Sequence, residues 1–131
     1  MSVDTKGLII GEISPEEVTN ILIQKGYDEV EIRRKNKLDL GESRTCYSSV
    51  IMFNCCGNYK LLHVLYDTCQ TDINQDIKGG EKINPALEYT QLFIEYDENS
   101  EEIMKDVVSE FGGYIDSDDC DNKGYKLVQM K

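Results

Sequence analysis

Tryptophan is missing from this sequence, histidine occurs once, and none of the five cysteines is spaced as C-x-x-C. A structural zinc site needs thiolates and imidazoles that converge, and His63 with Cys46, Cys55, Cys56, Cys69 and Cys120 offers no such spacing. Cys55 and Cys56 are adjacent, so on a strand they point to opposite faces and do not share a metal. The odd cysteine count does not suggest a secreted disulfide framework, which leaves reduced thiols acting as small apolar side chains. No apolar run approaches the ~18 residues of a membrane span. The opening MSVDTKGLII meets Glu12 before a long apolar stretch develops and has no small-residue cleavage pattern, so a cytoplasmic location and no membrane contact are expected. P-loop, G-x-G-x-x-G, H-E-x-x-H and G-x-S-x-G patterns are absent, and with them the usual routes to a nucleotide cofactor, a catalytic metal or an activated serine. The expectation is a protein without cofactor, metal or enzymatic activity.

The segment 116–124, DSDDCDNKG, comes nearest to a metal motif. With Asp119 as position one of a calcium loop, Asp121 and Gly124 fit. Lys123 then replaces an oxygen ligand and Met130 stands where the bidentate glutamate belongs, so the motif fails.

What is present reads as one globular domain over residues 1–131, with 40% hydrophobic and 30% charged residues. Strand-forming residues concentrate at 48–67, SSVIMFNCCGNYKLLHVLYD. Residues 50–53 and 61–66 are apolar at both parities of the two-residue period, which predicts a hairpin of central strands at least partly covered on both faces and turning at Gly57-Asn58. That register sets Met52 against His63 and Cys56 against Tyr59, so neither thiol meets the histidine directly. His63 then reads as a packed, hydrogen-bonded strand residue rather than a catalytic base.

Around the hairpin the signals fall in order. A strand over 6–13 leads into Ser14-Pro15-Glu16-Glu17, a capping box with proline at the first helical position. Val18, Ile21, Leu22 and Lys25 share a face of the helix, and Gly26 ends it. A basic strand over 29–38 follows, with charges of the kind that protect exposed sheet edges; on strict alternation Arg33, Lys35 and Lys37 share one face and Arg34 takes the other. Residues 68–86 form a long irregular loop containing Gly79-Gly80 and Asn84-Pro85. A strand over 88–96 precedes a second capping signal, Asn99 with Glu102, and a second apolar stripe of Ile103, Met104, Val107, Val108 and Phe111. Short strands near 114–115 and 125–130 complete the reading. LIIGEISPEEVTNILI and LFIEYDENSEEIMKDVV echo one another, which predicts an α+β fold: a mainly antiparallel sheet with two helices on one face, a ferredoxin-like plait or an elaboration of it.

Bases are missing where acids are dense. Residues 88–121 hold twelve carboxylates and one base, Lys105, and so account for the entire net charge of −11. Glu98, Glu101, Glu102, Asp106 and Glu110 largely avoid the apolar stripe of the second helix, and Asp118 and Asp119 lie in the turn beyond it. These seven are the candidate partner-binding residues, because such a field repels nucleic acid and attracts basic surfaces. In small size, acidity and lack of catalytic motifs the chain resembles, in general character only, phage-encoded inhibitors that block restriction or CRISPR effectors. That likeness implies a non-enzymatic inhibitor occupying the basic surface of a nucleic-acid-handling protein by mimicking nucleic acid, with the host cytoplasm as its location. The alternative is a binder of an anionic nucleotide or metabolite held by Arg33, Arg34, Lys35 and Arg44. Pairing of the basic strand with the acidic face of another copy would give a homo-oligomer.

Overall fold

Ser14 does in three dimensions what its sequence context calls for. Its hydroxyl accepts from the Glu17 amide at 3.2 Å, and the Glu17 carboxylate accepts from the Ser14 amide at 2.9 Å, closing a capping box at the start of α1 (Pro15–Gln24). Gly26, at φ 93°, ends the helix. The computed structural model describes residues 4–41, 43–69, 88–116 and 126–128. Its elements in chain order are β1 (Asp4–Ile10), α1, β2 (Asp28–Asp39), β3 (Thr45–Cys55), β4 (Asn58–Asp67), β5 (Tyr89–Glu95), α2 (Ser100–Phe111), β6 (Gly113–Asp116) and β7 (Lys126–Val128).

The strands form one sheet in the order β2-β3-β4-β5-β1-β6-β7, and every neighbouring pair is antiparallel. Both helices lie against the same face. α1 covers β2 and β3, α2 covers β1, β5 and β6, and the two helices touch. The class is therefore α+β with a large antiparallel sheet and two helices. The ferredoxin-like plait, or an elaboration of it, is not confirmed: among the described residues the sheet is larger, with seven strands, and its strand order differs, the β2–β3 pair intervening between α1 and β4.

The core lies between helices and sheet. Ile9, Val18, Leu22, Ile51, Phe53, Leu62, Leu92, Ile94, Ile103, Met104, Val107 and Val108 are all sealed from solvent. α2 approaches β1 closely enough that a Cβ on Gly7 would sit 2.6 Å from the Met104 sulfur. Beside it, β6 runs so near β1 that a Cβ on Gly113 would lie 1.9 Å from the Leu8 carbonyl oxygen, which excludes any other residue there without a backbone shift.

The central hairpin exists, but it turns one residue earlier than Gly57-Asn58. Cys55 pairs with Asn58, so the loop is Cys56-Gly57, with φ 57° and 87° as such two-residue turns require. The Gly57 amide donates to the Asn54 side chain at 3.1 Å, which holds the turn in place. The register consequently moves by two, setting Met52 against Leu61 and Val50 against His63. A shift of two preserves the faces. The expectation that both faces are at least partly covered holds in part: Ile51, Phe53, Leu62, Val64 and Tyr66 are buried under the helices, and on the other face Val50, Met52 and Leu65 are half-buried while Leu61 and His63 are exposed. His63 is thus a surface residue, not a packed one.

α2 also starts differently from its sequence signal. Asn99 makes no side-chain cap; instead Asp97 accepts from the Asn99 amide at 2.8 Å, and the buried Ser100 hydroxyl accepts from the Asp97 amide at 3.1 Å and bonds Thr5 at 2.8 Å. Asp97 is in turn ion-paired with Lys60 of β4. The loop expected at 68–86 falls, from residue 70 onward, outside the described residues, as do Asp118, Asp119, Cys120 and the calcium-like sequence from residue 117.

Candidate functional site

The apolar stripe of α2 fixes where its carboxylates can go. Ile103, Met104, Val107 and Val108 turn inward, which leaves Glu98 and Glu102 exposed without a cationic partner among the described residues. The other acids of this helix are engaged. Glu101 pairs with Lys105 one turn on at 3.3 Å. Asp106 accepts from the Tyr27 hydroxyl at 2.8 Å, and Glu110 meets Lys25 at 3.0 Å, so these two carboxylates strap α2 to the end of α1. Burial and the Asp106 carboxylate together push the Tyr27 phenol well above its usual range, and its ring meets Phe53 edge to face at 5.3 Å. Beyond the helix start, burial pushes the Asp97 carboxyl up, but the Lys60 ammonium and the amides of Asn99 and Ser100 outweigh it and hold it below its ordinary value.

The four basic residues of the alternative site are not brought together. β2 has irregularities between Asp28 and Glu31 and between Ile32 and Arg34. Arg34, paired with Val50, therefore joins Arg33 at a shallow hollow on the uncovered face, with Met52, Leu61 and His63. Lys35 and Lys37 lie on the helix face, Lys35 bound to Glu16 at 2.6 Å and Lys37 6.0 Å from the centre of the Tyr47 ring. The expectation that Arg33 shares a face with Lys35 and Lys37 is overturned by the bulge beside it. Arg44 sits at the far end, forked onto Asp67 at 2.8 and 3.3 Å, and this guanidinium holds the Asp67 carboxyl below its ordinary value.

Sequence reasoning passed over a cavity of about 520 Å³ between the first turn of α1 and strands β2 to β4. Lys35, Lys37, Tyr47, Ser49 and Tyr66 line one side, and Glu12 and Glu16 the other. Ser49 is 5% exposed, and its hydroxyl makes no hydrogen bond among the described residues. Tyr66 is buried beneath Tyr47, ring centres 6.3 Å apart; burial and the Glu88 carboxylate push its phenol up to about 12. The signal that was available is the polar pair Ser48-Ser49 in an otherwise apolar strand, one of which must face the covered side. Elsewhere, burial and the neighbouring Cys56 raise the Cys55 thiol, while Cys56, at the hairpin tip, is exposed. Among the described residues no three His, Cys, Asp or Glu side chains gather to hold a metal, and no helix is long and apolar enough to cross a membrane. Comparison with protein-family models, curated proteins and solved structures returned no match.

Proposed function

We propose that this protein is a non-enzymatic interaction module whose anionic side, centred on Glu98, Glu101, Glu102, Asp118 and Asp119, occupies the basic surface of a nucleic-acid-handling partner. In its sharpest form the side mimics a phosphate backbone. The observation that carries the reading is the concentration of the whole net charge in residues 88–121, with Glu102 exposed on a helix whose apolar residues turn inward, Glu98 exposed just before that helix, and neither paired among the described residues. A field of that kind steers association with cationic surfaces and repels nucleic acid and anionic lipid. Asp106 and Glu110 contribute to the same field while serving as internal struts.

The test is affinity capture from a cell lysate with the native chain and with a variant carrying Glu98→Gln, Glu101→Gln, Glu102→Gln, Asp118→Asn and Asp119→Asn. The native bait should retain a basic, nucleic-acid-binding protein and release it as salt is raised, and the variant should retain none. Equal retention by both baits, insensitive to salt, rejects the reading, as does retention of no such protein by either.

A second reading has one specific observation in its favour, the Ser49 hydroxyl, which makes no hydrogen bond among the described residues and lines the cavity beside Lys35, Lys37 and Tyr47. It makes that cavity the seat of a small anionic ligand such as a nucleotide. Arg33, Arg34 and Arg44 lie elsewhere, so the site would rest on the two lysines. A rise in melting temperature with one member of a nucleotide panel, lost in Ser49→Val and Lys37→Met, is the expected result; a melting temperature that ignores the panel excludes it.

A further inference from the structure

β2 carries its charges in a strict order. The acids Asp28, Glu29 and Glu31 come first, the bases Arg33, Arg34, Lys35 and Lys37 follow, and Asp39 closes the strand. Four acids and four bases make it neutral within a chain of net charge −11. It is also the end strand of the sheet, bonded to β3 on one side and to no strand on the other among the described residues. All of its side chains are exposed except Val30 and Ile32, which are half-buried. An open strand edge is a template for another strand, because its outward amides and carbonyls have no partner of their own.

A strand added antiparallel is read in reverse order. When β2 faces a copy of itself with the two-fold axis at Ile32, the positions counted through the two irregularities set Glu31 against Arg34, both on the uncovered face, and the pair occurs twice. Parallel alignment in register instead places like charge on like, which is destabilising for directly opposed residues. Charges and bulges on an edge turn unrelated strands away. Here the order of the charges leaves one strand that they accept.

We propose that β2 pairs antiparallel with the β2 of a second copy of this chain, joining two seven-stranded sheets across a two-fold axis. The present partners of these side chains do not oppose the exchange. Arg33–Glu31 and Lys35–Glu16 are more than half exposed at both ends, and exposed ion pairs of this kind contribute little. Among the described residues Arg34 and Lys37 have no acidic partner to leave. α2 lies over the other half of the sheet, so the pairing stands or falls independently of the anionic-face reading.

Sedimentation velocity at low and high salt tests it with three samples. The acidic-half variant carries Asp28→Lys, Glu29→Lys and Glu31→Lys; the basic-half variant carries Arg33→Glu, Arg34→Glu and Lys37→Glu. The native chain should sediment with twice the monomer mass at low salt and shift toward monomer at high salt. Each variant alone should remain monomeric, and an equal mixture of the two should recover the doubled mass. Where a triple variant fails to fold, Glu31→Arg and Arg34→Glu repeat the comparison at a single contact. Hydrogen exchange of the native β2 amides should in addition slow as protein concentration rises. A native chain that is monomeric at low salt, variants that dimerise alone as the native does, or a mixture that stays monomeric overturns the proposal.

Discussion

Leu61 and Leu62 are neighbours in β4, the same side chain in the same strand, and one is 49% exposed while the other is sealed. The difference is the face. Both sides of the sheet are apolar along β3 and β4, but the two helices pack on one side only, so Ile51, Phe53, Leu62 and Val64 are buried and Val50, Met52 and Leu65 remain partly open. Nearer the middle of the sheet the same face is not open, since Leu8 and Tyr89 are buried there with Ile10 and Tyr114 packed against them. Alternation along a strand separates the two faces; the number and reach of the helices decide which becomes core.

The largest effect that would sharpen this contrast comes from truncating each leucine in turn. Leu62→Ala should cost about 2–5 kcal/mol, the transfer and cavity terms of a sealed aliphatic chain, whereas Leu61→Ala should stay within about 0.5 kcal/mol. Urea unfolding of the two variants measures both, and equal losses would mean that the second face is covered in solution.

The helices that make one face a core are secured unequally. Ser14→Ala removes half of a capping box and should cost about 1 kcal/mol, while Asn99→Ala, at a position whose side chain caps nothing, should cost only a few tenths. The same unfolding measurement separates them. A substantial loss from Asn99→Ala would contradict the cap assigned here to Asp97.

The smallest effect is a pH dependence at the start of α2. The Asp97 carboxyl is depressed in the folded chain, so what it contributes is complete above its ordinary value of 3.8 and is lost as pH falls through the folded value. Lys60→Met should therefore flatten part of the fall in stability below about pH 4, the ordinary carboxylate range, and Arg44→Gln should do likewise through Asp67. Acid titrations of unfolding midpoint for the three proteins compare the slopes.

Much of this was legible in the residues themselves. The capping box at Ser14, the stripe of α2 and the hairpin all follow from local chemistry, and each formed. The register did not follow, because Cys56 is not an obvious residue for a positive φ and only the Asn54 side chain, three residues before Gly57, selects the earlier turn. The α2 cap was missed for a similar reason: Asp97 is recruited by Lys60, a strand away in space and far away in sequence. Arg33 and Arg34 were assigned to opposite faces on strict alternation, which a bulge suspends. The seven-stranded order was out of reach of any local pattern, since strand neighbours are chosen by the packing of the whole sheet.

That order also sets a timetable for the growing chain. β1 lies in the interior of the sheet, yet its two neighbours are residues 89–95 and 113–116. During synthesis α1 and the run of β2, β3 and β4 follow β1 directly and are joined by short connections, so they close early, while Leu8 and Ile9 wait for strands made much later. Until then an apolar strand is unpaired, the state in which a nascent chain is most exposed to wrong partners. The last-made strands are the ones that lock the first.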